Sequence, residues 1–143
     1  MFSKTYAFDA ATGLLKRDVG LAALTADAYV GDQWDQGGAA ATDAICVINV
    51  ESVDVASNDE VYRFVVLGSE TADRSDGQIL GMIEIGDNAA IALETVDPSA
   101  GDRAEIRFRT EKNGTKFRYV DLHLDVAGTT PSIGFNAHIT KEV

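Results

Sequence analysis

Between Arg103 and Leu124 the chain runs Arg-Ala-Glu-Ile-Arg-Phe-Arg, reaches a turn at Lys112-Asn113-Gly114, and resumes as Lys-Phe-Arg-Tyr-Val-Asp-Leu-His-Leu. Ala104, Ile106 and Phe108 alternate with Arg103, Glu105, Arg107 and Arg109. That period of two belongs to a strand with one buried and one wet face, and it rules out a helix here. The whole stretch predicts a β-hairpin. Asn-Gly suggests a two-residue turn, but that register sets Ile106 against Asp121 and Arg107 against Val120, charge against core. A three-residue loop with Gly114 left-handed instead pairs Ile106 with Val120 and Ala104 with Leu122, and it brings Arg107 to Tyr119 and Arg109 to Phe117. One face is then apolar and the other carries arginine on aromatic rings.

The rest of the chain repeats the strand signal at short intervals. Ala44 to Val50 is a continuous apolar run of the kind buried on both sides, and Val61 to Leu67 is rich in β-branched residues. Ile79 to Ile85, Ala89 to Val96 and Ile133 to Ile139 follow, separated by turn clusters such as Ser57-Asn58-Asp59 and Gly86-Asp87-Asn88. Seven or eight short strands without an amphipathic helix predict an all-β fold, a jelly-roll-like antiparallel β-sandwich. Before about residue 40 the periodicity lapses: Tyr6, Phe8, Leu14, Leu21, Tyr29 and Trp34 are scattered among Asp and Gly. Residues 1–40 are therefore expected to form an extended N-terminal arm, with part of Val19 to Val30 as a first strand, and residues 41–143 the sandwich domain.

A chain of 143 residues suits one domain. The net charge of -11 opposes binding to a phosphate backbone, so nucleic acid is not an expected partner. Arg103, Arg107, Arg109, Lys112, Lys116 and Arg118 nevertheless make a local cationic stripe, suited either to an acidic protein surface or to discouraging edge pairing. Cys46, the single cysteine, sits in Ala-Ile-Cys-Val-Ile and is expected in the core. Neither a signal peptide nor an apolar run of membrane-spanning length is apparent, so the expectation is a chain made in a cytoplasm that does not enter a membrane.

Motifs for chemistry are sparse. His123 and His138 fall on different predicted strands without a third ligand, and no metal site or cofactor is expected. Asp73-Arg-Ser-Asp76-Gly is like a calcium loop only in being acidic. Asn113-Gly-Thr115 matches a glycosylation pattern, but turn geometry already explains it. No nucleophile elbow, phosphate loop or zinc-protease helix occurs, so the chain is not expected to be an enzyme. Arginine and tyrosine on an outer strand face suit a protein interface.

Two blocks carry a family resemblance. Ala41 to Glu60 reads Ala-Thr-Asp-Ala-Ile-Cys-Val-Ile-Asn-Val-Glu-Ser-Val-Asp-Val-Ala-Ser-Asn-Asp-Glu, and Phe108 to Thr140 contains Glu-Lys-Asn-Gly-Thr-Lys-Phe-Arg-Tyr and Pro-Ser-Ile-Gly-Phe-Asn-Ala-His-Ile-Thr. In strand texture and turn placement this resembles the capsid cement, or decoration, proteins of tailed bacteriophages. The resemblance implies a jelly-roll module on the exterior of an icosahedral virion, associated with itself as a dimer or trimer, that clamps neighbouring subunits of the major capsid protein with help from a terminal arm. Contacts are then expected at Phe2, Tyr6, Phe8 and Trp34 in the arm, and at Arg107, Arg109, Phe117 and Tyr119 on the hairpin. The competing expectation is a carbohydrate- or ligand-binding β-sandwich of a phage tail or receptor-binding assembly, with exposed aromatics as sugar platforms.

Overall fold

The computed structural model describes residues 6–7, 13–87 and 97–142. Its strands are β1 (Tyr6–Ala7), β2 (Leu15–Arg17), β3 (Ala28–Ala40), β4 (Asp43–Val53), β5 (Val61–Ser69), β6 (Gln78–Gly86), β7 (Arg103–Arg109), β8 (Glu111–Lys112), β9 (Thr115–Ala127) and β10 (Ile133–Glu142). They form two antiparallel sheets. Sheet A has the order β1-β10-β4-β7, with β2 also paired to β10; sheet B has the order β3-β9-β5-β6, with β8 paired to β9. The expected all-β, jelly-roll-like sandwich is what the chain forms. No helix among the described residues is long and apolar enough to cross a membrane. The strand expected over Ala89 to Val96 lies outside the described residues.

Alternation builds the core. On β7 the buried positions are Ala104, Ile106 and Phe108, and on β9 Val120, Leu122 and Leu124 meet them from the other sheet. Phe64 of β5 and Phe135 of β10 pack edge to face across the layers, centroids 5.0 Å apart at 81°. Burying each large side chain of this kind contributes about 1.5–3 kcal/mol before entropy is subtracted.

The predicted hairpin is not one. β7 pairs with β4, Ile106 beside Cys46 and Phe108 beside Ala44, while β9 pairs with β3 and β5. The chain changes sheets at Thr110. Beyond it, Glu111 pairs with Lys116 and Lys112 with Thr115 around a two-residue turn in which Asn113 and Gly114 have φ of 53° and 84°. This is the register that the charge argument disfavoured. Its supposed conflict never arises, because the strands part after two residue pairs and Ile106 never faces Asp121. Alternation reports which side chains are buried; it does not say which strand lies alongside.

Thr110 is buried at this corner. Its N–H donates to the Thr42 carbonyl (3.0 Å), its hydroxyl accepts from the Thr42 N–H (2.8 Å) and donates to the Ala40 carbonyl (2.5 Å), and its own carbonyl accepts from the Phe117 N–H (2.9 Å). The β3-to-β4 crossing and the β7-to-β8 crossing are thus fastened to each other.

Of the segment expected as an arm, residues 13–40 belong to the sandwich. β2 lies on β10, β3 lies on β9, and Leu14, Val30 and Trp34 are core residues. The arm-and-domain division at residue 40 therefore does not describe these residues. The register of β3 against β9 shifts between Val30 and Trp34 and again between Asp35 and Ala40, and such bulges break the period of two that marks a strand in sequence. Within 1–12, only Tyr6–Ala7 is described, paired with Glu142 and Lys141.

Candidate docking surface

The residues expected as one decorated face are divided between the layers. Arg107 and Arg109 are exposed on β7 in sheet A, where the Arg109 guanidinium lies 3.0 Å from Asp43. Phe117 and Tyr119 are on β9 in sheet B: Phe117 is buried, while Tyr119 is half-buried with the Arg118 guanidinium 5.1 Å from its ring centroid. The predicted pairs of Arg107 with Tyr119 and Arg109 with Phe117 do not form, because their strands are not neighbours. Trp34, expected on an arm or as a sugar platform, is buried, with the Lys141 ammonium 5.9 Å from its ring. Phe2, Phe8 and the side chain of Tyr6 lie outside the described part of the structure.

Sheet B assembles a different surface. Tyr29 on β3 is paired with His123 on β9, His123 with Val65 on β5, and Val65 with Met82 on β6, so one cross-strand row spans four strands. Tyr29 and His123 meet edge to face at 4.8 Å. Tyr29 and Met82 are 46% and 50% exposed, and Ile79, opposite Leu67 in the neighbouring row, is 51% exposed. On one side the stripe is bordered by charge: Arg63 reaches Glu84 at 3.1 Å, and His123 Nδ1 lies 3.4 Å from Asp125.

The loop between β5 and β6 folds back over the other side. Arg74 stacks on Tyr29, 4.2 Å from its centroid, and its Nη2 lies 3.0 Å from Oδ1 of the buried Asp121. Gln33 donates to the second oxygen of Asp121 at 2.8 Å. Asp121 thereby holds the guanidinium charged and raises its pKa further. Asp73 and Asp76 of this loop are engaged internally. Asp76 accepts from the Ser69 and Thr71 hydroxyls and the Glu70 N–H, and these bonds pull its carboxyl down to about 2. Asp73 accepts from the Thr71 hydroxyl and the Ser75 N–H. Among the described residues no three His, Cys, Asp or Glu side chains are grouped to hold a metal ion; His123 and His138 sit on different sheets.

Lys16 is buried at the junction of β2 and β3, its ammonium donating to the Asp32 carbonyl at 2.6 Å and the Val120 carbonyl at 3.3 Å. Burial lowers its pKa to about 8 against the opposing pull of Asp121. Cys46 is fully buried and its thiol is pushed up to about 12, so it acts as a small apolar side chain. Open grooves flank the sandwich: one of about 500 Å³ follows β6 and β7 past Ile83, Ile85 and Ala104.

Sequence reasoning missed Tyr29, Arg74, Ile79, Met82 and His123 as neighbours because they come from three strands and a loop. One signal was present. Gln78-Ile-Leu-Gly-Met-Ile-Glu-Ile is apolar at successive positions without Val or Thr, which on an outer strand leaves apolar side chains on the wet face as well as the dry one.

No protein-family model matches this chain. No curated protein matches it either. Among solved structures it is similar to the CBM22-1–GH10 modules of the N-terminal part of Clostridium thermocellum endo-1,4-beta-D-xylanase 10B complexed with xylohexaose, with 11% identity and a TM-score of 0.42. The match takes in 99% of this chain but spans 25% of that one.

Proposed function

We propose that this protein is a non-catalytic structural module that docks through the outer face of sheet B on subunits of a protein shell, as a capsid decoration protein on the exterior of a phage head. The observation that carries this reading is the exposed apolar side chains of Tyr29, Met82 and Ile79, with the buried Val65 between the first two in their cross-strand row, bordered by Arg63, Glu84 and Asp125. An apolar centre with a charged rim, containing Tyr and Met, is the composition of protein interfaces. Arg74 covers one face of the Tyr29 ring. The identity of the partner, the major capsid protein, rests on the resemblance carried by Ala41 to Glu60 and Phe108 to Thr140, as does self-association as a dimer or trimer. A net charge of -11 keeps the packaged nucleic acid out of consideration as a partner. Each contact has only to be modest, since many identical copies share the load at the seams that internal pressure would open.

The test is co-sedimentation of the purified protein with expanded phage shells lacking their decoration protein. The parent is expected to pellet with the shells and raise their melting temperature, and Met82→Asp with Ile79→Asp to weaken that binding about tenfold or more. A parent that neither pellets nor stabilises the shells, or one that instead binds a glycan array, overturns the proposal.

A further inference from the structure

The described residues hold two sulfur atoms, and the fold treats them in opposite ways. Cys46 on β4 is fully buried beside Ile106, and burial keeps its thiol protonated. A thiol with neither thiolate character nor access to solvent reacts slowly with peroxide. Met82 on β6 is 50% exposed. Its neighbours along the strand are turned the other way: Gly81 lies against Ile106 of β7, and Ile83 packs on the core cluster. Alternation therefore turns the Met82 thioether to water. It stands opposite Val65, at the β6 end of the row that runs through His123 to Tyr29, with Ile79 exposed on the same strand.

We infer that Met82 is a modification site, at which hydrogen peroxide converts the thioether to the sulfoxide and so switches the outer face of sheet B from docking to non-docking. In this step the sulfur lone pair attacks one peroxide oxygen. An S–O bond forms, the O–O bond breaks, and a proton passes to the departing oxygen, which leaves as water. Sulfur is oxidised by the two electrons that peroxide takes up. The product is a polar, chiral group whose oxygen accepts hydrogen bonds. On the free protein water supplies them, so oxidation leaves the fold intact. A docked partner would strip that water away, and the side chains of Val65 and Ile79 beside the sulfoxide carry no donor to replace it. The site stands on the geometry of β6 alone, whereas the switch rests on the shell-docking reading above.

The experiment treats the parent with hydrogen peroxide, folded and in urea, and follows Met82 and Cys46 by peptide mass spectrometry. In the folded protein Met82 is expected to gain one oxygen within about threefold of its rate in urea, while Cys46 is slowed about tenfold or more. Co-sedimentation with the expanded shells then compares treated and untreated samples. The oxidised parent is expected to pellet about tenfold more weakly. Methionine sulfoxide reductases acting on both epimers should restore its binding. Met82→Leu has its own affinity for the shells, which peroxide should leave unchanged. A Met82 as resistant as Cys46 in the folded protein overturns the site. An oxidised parent that pellets like the untreated one, or a Met82→Leu variant that loses binding on treatment, overturns the switch and leaves the shell-docking reading standing. An untreated parent that does not pellet overturns that reading and the switch together, and the mass spectra still decide the site.

Discussion

The two sheets meet along both long sides of the sandwich, at two seams of different chemistry. At the seam of β2 and β3, a Cβ on Gly31, whose φ is +71°, would overlap the carbonyl oxygen of Lys16, so backbone lies against backbone. Polar groups wire this seam together: Lys16 to the Asp32 and Val120 carbonyls, Gln33 and Arg74 to Asp121. At the seam of β6 and β7, a Cβ on Gly81 would come within 2.6 Å of Ile106 Cγ2, and the obstacle is a side-chain methyl. The first seam is rigid, titratable and intolerant of volume. The second is apolar and can yield by repacking.

The largest expected effect is at the backbone-to-backbone seam. Gly31→Ala adds both a left-handed alanine and a clash that no rotamer relieves, and should cost on the order of 3–5 kcal/mol in a urea unfolding curve. Gly81→Ala should cost less, about 1–3 kcal/mol. Combining it with Ile106→Leu, which moves the branch away from the added methyl, should recover part of that loss, whereas a partner substitution should not rescue Gly31→Ala. Equal costs at the two glycines, or no rescue at the second, would break the comparison.

A pH-dependent effect sharpens it. Burial lowers the Lys16 pKa from 10.5 to about 8, so between these values the unfolded chain binds more protons than the folded one. Stability contributed through this group therefore rises with pH across that window, and its burial cost is complete below it. Relative to Lys16→Met, the parent should gain about 1–3 kcal/mol from about pH 7 to about pH 10. Gly81→Ala should show no comparable slope against the parent. Denaturation midpoints at both pH values check the sign.

How much of this was legible in the sequence follows from what periodicity encodes. Ala104, Ile106 and Phe108 gave away their burial, and the strands at Ala44 to Val50, Val61 to Leu67 and Ile133 to Ile139 fall inside observed elements. Neighbours were not legible: an Ile on a strand packs equally well whichever ladder that strand joins, so β7 and β9 read as a hairpin although they belong to different layers. β3 escaped notice because its bulge puts an exposed Asp32 between the inward Val30 and Trp34, at the position where an unbroken alternation has an apolar residue. The candidate surface was fainter still. Tyr29, His123, Val65 and Met82 become a row only through three strand pairings, none of which leaves a local mark.

The corner at Thr110 has a mechanical meaning. Because both crossings pass through one knot of hydrogen bonds, the two layers cannot slide past each other without rupturing main-chain links at that point. A tug applied to one layer is handed on to the other as tension along covalent chain instead of being dissipated in the slippery hydrocarbon between them.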